Sequence, residues 1–346
     1  MNLELKILNP LNYQGWDELV LSTEIYSFFH SSAWARVLYD SYHYIPHYFT
    51  LLDKNEPLVL IPLMEVNSIL TGRRGISLPF SDYCKPIIGK GIQFNDVLNF
   101  MIKYGKECRW KSLEFGDVNH FSQEILPSSV FYNHTLHLSE DADLIFSQLR
   151  SSTRRNIKKA IREGVQVIFS YSLQSIKEYY RLHSVTRKKH GLPPQSFYFF
   201  KKIYDNIISK KHGFVILASS DKKYIAGAVF FHFGRNAIYK FGASNIKYQH
   251  LRANNLAMWE AIKWYAEQGY ESFCFGKTEL ENVGLKQFKE GWGAKKQLIK
   301  FYKYDLIKDS FIKTNQKLTG FHNKIFTKMP VNLLQLSGKL IYRHIP

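Results

Sequence analysis

Apolar and polar positions between Tyr224 and Gly293 follow a strand, strand, helix, strand order. Tyr224–Phe233 (YIAGAVFFHF) is an almost unbroken apolar run, and Ile238–Gly242 (IYKFG) is a shorter one. A polar turn, Ser244–Arg252, leads into Ala253–Glu267 (ANNLAMWEAIKWYAE), whose apolar residues recur at helical spacing. Gly269 marks the end of that helix. Phe273–Gly276 (FCFG) reads as a strand, and Gly284–Gly293 (GLKQFKEGWG) closes the unit. Elements in this order predict an α/β layer with a mixed sheet.

The rest of the chain has the same texture. Leu3–Leu8 reads as an edge strand, and Asn12–Leu19 and Ser31–Tyr42 as helices. His47–Leu52 and Pro57–Glu65 form a hairpin around Asp53–Glu56, and Pro57 and Pro62 predict edge or irregular pairing. Leu78–Pro86 (LPFSDYCKP) is a loop with a polar centre. A helix over Val97–Cys108 and strands over Trp110–Phe115 and Phe131–Leu138 follow. Ala142–Ile161 is helical with a break near Ser151–Thr153. Leu173–Lys189 starts with Ser172 as N-cap. Phe197–Ile208 is a helix, Phe214–Ser219 a strand and Gln297–Tyr304 the last strand. Ile307–Phe326 is polar and basic, and Val331–Arg343 is a C-terminal helix whose leucines pack back on the body, with membrane contact as the rival reading.

Composition narrows the reading. The 346 residues suffice for two domains, and 45% apolar content excludes wholesale disorder. Lys and Arg number 47 against 29 Asp and Glu, a formal charge of +18. That balance favours an anionic partner: RNA, phosphate, a coenzyme or a membrane face. Cys84, Cys108 and Cys274 are far apart and supply neither a metal-ligand spacing nor a disulfide framework. No apolar run is long enough for a transmembrane helix, and no signal-peptide pattern stands at the N-terminus, so the expected location is cytoplasmic. No nucleophile elbow or zinc motif is present, which agrees with direct transfer chemistry.

Five segments carry a family resemblance: Ser152–Gly164 (STRRNIKKAIREG), His183–Pro194 (HSVTRKKHGLPP), Phe241–Arg252 (FGASNIKYQHLR), Asn255–Trp264 with Gly269, and the FCFG and GLKQFKEGWG pair. In this order they resemble the Fem-like peptidyltransferases of the N-acetyltransferase superfamily. The resemblance implies tandem acyltransferase-like domains, over 1–145 and 146–305, with a helical tail over 306–346. It implies an N-acyltransferase that moves an acyl or aminoacyl group to an amine of a sugar, peptide or cell-envelope precursor by direct attack. No permanently bound cofactor and no metal are expected; acyl-coenzyme A or aminoacyl-tRNA serves as cosubstrate. The implied partners are a small-molecule or envelope-precursor acceptor, tRNA as the carrier of the donor group, and peripheral contact with a membrane-attached substrate. The competing reading is a noncatalytic RNA- or polyanion-binding protein on the same scaffold.

The candidate residues follow from that frame. Acyl transfer needs positioning, proton removal and charge stabilisation. Phe288 and Lys289 match the family's Phe-Lys pair, and the resemblance associates the lysine with the transferred group's charge; Lys289 and Tyr239 are the catalytic candidates. Phe288 and Trp292, four residues apart, pack on one face and leave Lys289 pointing toward the cleft. Asp82, Tyr83, Lys85, Arg187, Lys189 and Tyr248 are substrate candidates, with turn formation or surface packing as the alternative for each. The place of the usual glycine-bearing pyrophosphate loop reads Lys247–Asn255 (KYQHLRANN), without glycine. Arg252, Asn254 and Asn255 there, with Arg154 and Arg155 on the basic helix flank, are the donor-phosphate candidates; local charge balance and helix capping are the rival roles. His183, His232 and His250 are proton-acceptor candidates without a motif.

Overall fold

The structure, a computed structural model, describes residues 4–54, 56–116, 125–313 and 322–344. Leu3, Asn55 and the 314–321 part of the expected polar segment lie outside the described residues. In chain order the first elements are β1 (Lys6–Leu8), α1 (Trp16–Leu21), α2 (Ser32–Tyr42), β2 (Ile45–Asp53), β3 (Glu56–Ser68), β4 (Gly72–Ile76), β5 (Ile87–Ile88), α3 (Phe94–Glu107) and β6 (Ser112–Gly116). Next come β7 (Ser129–His137), α4 (Ala142–Gln148), α5 (Ser151–Arg162), β8 (Gln166–Ser170), α6 (Leu173–Lys189), α7 (Phe197–Ile203), β9 (Gly213–Ser220), β10 (Lys223–Phe233) and β11 (Asn236–Ser244). The chain continues through α8 (Ala253–Glu267), β12 (Ser272–Glu279), α9 (Val283–Glu290), β13 (Lys295–Asp305), β14 (Ser310–Phe311), α10 (His322–Lys328) and α11 (Val331–Ile341).

The chain divides into two compact units. One takes in the described residues of 1–131, 298–317 and 342–346; the other, those of 132–297 and 318–341. In the first, strands run in the order β1, β2, β3, β4, β6 and then the 298–305 part of β13. Phe49, Ile61, Trp110 and Phe115 pack with Val97 and Met101 of α3 to form its core. Of the irregular or edge pairing expected of Pro57 and Pro62, the structure shows the irregular one, because β3 is interior. Pro62 falls between the segment that pairs β5 (Val59, Leu60) and the one that pairs β4 (Met64–Ser68). Pro57 stands at the register shift opposite Leu51 and Leu52. Each proline therefore sits where the ladder is already interrupted.

The second unit has the strand order β7, β12, β11, β10, β9, β8. Strands β9 and β10 join through Asp221 and Lys222, both at positive φ (48° and 62°), the two-residue turn that matches strand twist. Helix α8 is buried nearly all round: Leu256, Ala257, Met258, Ala261, Ile262, Tyr265 and Ala266 meet the sheet and its neighbouring helices. Its end shows why the sequence stops there. Gly269, at φ 74°, donates to Ala266 O, Tyr270 donates to Tyr265 O, and the rings of Tyr265 and Tyr270 touch at 4.8 Å. This satisfies two terminal carbonyls and adds an apolar clasp.

Candidate active site

Two local features open the sheet beside α8. The first is a bulge: Val229 pairs with Phe241 and Phe230 with Tyr239, so Lys240 is an extra residue in β11. The second is a parting of strands. Registered parallel pairing of β11 with β12 covers only Asn236–Ile238 against Ser272–Cys274. Beyond it, Gly276 turns to φ 72°.

The entrance to α8 is built from a turn and an uncapped helix end. A 3-10 turn, Ile246–Leu251, starts at Asn245, whose side chain accepts from Lys247 N. The turn is pinned to the sheet by Asn245 N donating to Ile225 O, 2.8 Å. Thr186 of α6 fixes Ser244 by accepting from its N–H and donating to its carbonyl. Arg252 then takes the left-handed conformation (φ 59°) as the N-cap of α8, with no side-chain cap. The amides of Ala253 and Asn254 are left without an acceptor among the described residues. Free amides and the aligned helix dipole make this end electropositive.

These segments, with Asn156 of α5 and Phe288 of α9, enclose a cleft of about 200 Å³. Ile225, Ala226 and Phe288 supply its apolar wall. Among the described lining residues Arg252 is the one charged side chain, and no carboxylate is present. Asn156, Tyr248, Gln249, Arg252, Asn254 and Asn255 have no side-chain hydrogen-bond partner among the described residues. The cleft therefore offers unspent amide, hydroxyl and guanidinium groups to a polar, anionic ligand.

Tyr239 lies on the α8 side of the sheet. Its ring packs against Phe230 at 5.6 Å and rests on the core. The bulge brings Gly242 onto the same side: a Cβ there would overlap the Tyr239 hydroxyl oxygen and come within 2.6 Å of Cζ. The absence of a side chain at 242 is what makes room for the phenol. The hydroxyl has no hydrogen-bond partner among the described residues. Burial of the ring pushes its pKa up to about 12, so it is a proton donor at neutral pH.

Lys289 is turned the other way from expectation. Phe288 reaches the cleft and meets Trp292 edge-on at 5.9 Å. One residue on, Lys289 is 3% exposed, and its Nζ donates to Gly276 O (2.8 Å) and Lys277 O (3.1 Å). The expected approach of its ammonium to the open cleft is corrected: the kink at Gly276 presents β12 carbonyls to α9, and the lysine caps them. Burial, and then the charge of Lys289, hold His134 of β7 down at about 4. His134 is fully buried and both its ring nitrogens lack a partner among the described residues, as does the indole nitrogen of Trp292.

The other candidates have separate places. Arg154 is half-buried and Arg155 exposed on α5; neither lines the cleft, where α5 presents Asn156 instead. Arg187 Nε donates to Pro193 O and holds the loop after α6, while Lys189 is exposed. Asp82, Tyr83 and Lys85 belong to the first unit. There Tyr83 packs edge-on against Phe301 at 6.4 Å, and the Lys85 carbonyl meets His30 Nε2. His183 is buried, with Nε2 at 3.0 Å from Gln195 Oε1. His232 is held by Lys211 O. The sequence reading missed Asn156, Ser244, Asn245 and Gln249. Their only signal was polar residues clustered at the ends of apolar elements.

Comparison with known proteins defines the class. Residues 147–290 match the family model described as an acetyltransferase (GNAT) domain. The chain is similar to a crystal structure of FemX, with a TM-score of 0.69 at 14% identity over 88% of this chain and 98% of that one. A tandem GNAT protein from the clavulanic acid biosynthesis pathway superposes with a TM-score of 0.54 at 7% identity, covering 88% of this chain and 99% of that one. In sequence, the Lipid II:glycine glycyltransferase of Staphylococcus epidermidis is 27% identical over 123 residues, 34% of this chain. The Staphylococcus haemolyticus enzyme of the same name is 32% identical over 77 residues, 20% of this chain. These matches cover 28% and 18% of the length of the two relatives. The mixed α/β fold of the GNAT type, with a helical C-terminal region, is thereby established.

Proposed function

We propose that the chain is an N-acyltransferase that moves an acyl or aminoacyl group from a thioester or ester donor to an amine of a cell-envelope precursor of the lipid II type. The observation that carries this reading is the cleft at the start of α8. Six unpartnered polar side chains, one of them the cation Arg252, meet two free helix amides there, with no carboxylate among the described lining residues. Such a lining suits the phosphate and ribose of acyl-coenzyme A or of the aminoacyl end of tRNA. The formal charge of +18 favours the larger polyanion.

In this mechanism the acceptor amine attacks the donor carbonyl, and the bond to the leaving oxygen or sulfur breaks. Tyr239 gives its proton to that leaving atom and is reprotonated from the attacking nitrogen, so no net proton is consumed. Arg252, Asn254, Asn255 and Tyr248 hold the donor, and Phe288 shapes the wall with Trp292 packed behind it. Lys289 acts through the Gly276–Lys277 backbone as a positioning residue. Arg154 and Arg155 extend the cationic approach for tRNA; Arg187, Lys189, Asp82, Tyr83 and Lys85 serve the acceptor side. The first unit is read as a second acyltransferase-like domain of a tandem pair, and the chain as cytoplasmic. The test is a donor screen of acyl-coenzyme A thioesters against aminoacyl-tRNA, with lipid II-type and soluble amines. Tight, salt-sensitive tRNA binding without transfer to any amine would return the noncatalytic polyanion reading.

A further inference from the structure

Helix α11 carries more apolar surface than its packing uses. Leu334 is 0% exposed, Gln335 Nε2 donates to Ser184 Oγ of α6, and a Cβ at Gly338 would run into the Pro194 carbonyl. That face is spoken for. Leu333, Leu336 and Leu340, at i, i+3 and i+7, share a different face and are 54%, 54% and 63% exposed. Three large side chains in one outward stripe are an unusual use of solvent-facing positions.

The charge along this stretch of the sequence has a single sign. From Ser310 to Pro346 the charged residues are Lys313, Lys317, Lys324, Lys328, Lys339 and Arg343, with no Asp or Glu. On the described helices Lys328 and Lys339 are exposed. A second copy of the chain would bring like charges together over the same leucines, which disfavours a self-complementary contact. An anionic bilayer satisfies both features. The leucines enter the acyl boundary and the lysines meet head-group phosphates.

We propose that the outward face of α11 docks on an anionic lipid bilayer and lies in the plane of its surface. The docking needs no particular reaction at the cleft. Its test uses the full chain and co-sedimentation with two vesicle populations, phosphatidylcholine mixed with phosphatidylglycerol and phosphatidylcholine alone. The chain should bind the mixed vesicles, less tightly as salt rises, and leave the neutral ones in solution. Leu333→Glu/Leu336→Glu/Leu340→Glu should lower the partition coefficient at least about tenfold, the scale of losing buried methylenes. Its circular dichroism melt reports folding. Lys328→Glu/Lys339→Glu touches no packed residue and should also weaken binding, about fivefold per charge near the surface. No binding to mixed vesicles, equal binding to both populations, or full binding by either variant overturns the proposal. So does a concentration-dependent dimer that the leucine variant abolishes while vesicles remain unbound.

Discussion

Gly242→Ala tests the placement of the Tyr239 phenol without replacing any residue assigned to the donor or the acceptor. The backbone at 242 is not left-handed, so alanine is permitted by conformation. The cost is steric. The new Cβ would overlap the Tyr239 hydroxyl oxygen and stand 2.6 Å from Cζ and 3.2 Å from Cε2. The ring must move away, and Phe230 and the core behind it limit how far. Overpacking of this kind costs about 1–3 kcal/mol. Alanine recovers about 0.5–1 kcal/mol over glycine in a strand. The expected net loss is about 1–2 kcal/mol.

Tyr239→Phe separates packing from chemistry. Removal of a hydroxyl that has no protein partner orphans nothing, so stability should change by no more than about 0.5 kcal/mol. Turnover should fall by roughly 10²–10³-fold if the phenol protonates the leaving atom. In the double variant the most severe overlap is gone but the contact with Cζ remains. The cycle should therefore show a favourable coupling of about 1 kcal/mol. Urea unfolding of the four proteins gives the coupling, and steady-state transfer kinetics gives the turnover. A Gly242→Ala protein as stable as the parent, with zero coupling to Tyr239→Phe, would refute the packing argument. Unchanged turnover in Tyr239→Phe would remove the phenol from the mechanism.

Arg252→Gly should raise stability by about 1 kcal/mol, because a left-handed non-glycine residue costs about 1–2 kcal/mol and glycine returns part of that as chain entropy. The same change should raise the donor KM about tenfold with kcat retained, as read by kinetics at two salt concentrations. Lys289→Met should cost about 2–4 kcal/mol in urea unfolding, through loss of two charge-assisted hydrogen bonds to Gly276 and Lys277. It should also raise the pKa of His134, followed by imidazole proton shifts, because a neighbouring positive charge is removed. Acid should weaken the fold below neutrality. Burial lowers His30 to about 4 and His183 to about 3, so the unfolded chain binds protons first. Their contribution is complete above about pH 6.5 and is lost as pH falls through the folded values, with about 3 kcal/mol from His30 alone. A urea midpoint that stays flat from pH 7 to about pH 4 would contradict this.

Helix α8 was legible because its apolar residues, its glycine stop and its length all agree. Expected and observed limits coincide at Ala253 and Glu267. The cleft was half legible for the same reason: Arg252, Asn254 and Asn255 must lie at the start of that helix, and Tyr248 stands one turn before it. Asn156 was hidden by its neighbours. Five basic residues on α5 announce a charged flank, yet charge says nothing about which position of the flank meets another element. Packing decides that: Ile157 and Ala160 are buried, and this rotation turns Asn156, rather than Arg154 or Arg155, to the cleft. Lys289 was misdirected by a sound premise. The spacing of Phe288 and Trp292 does put both on one face, but it cannot tell whether the residue between them meets solvent or backbone. What draws Lys289 inward is a pair of carbonyls exposed by the left-handed turn at Gly276, thirteen residues upstream of the lysine. A glycine in an apolar run is read as a weak point in a strand. Here it supplies the acceptor that a buried ammonium needs, and the two features explain each other only once the fold brings them together.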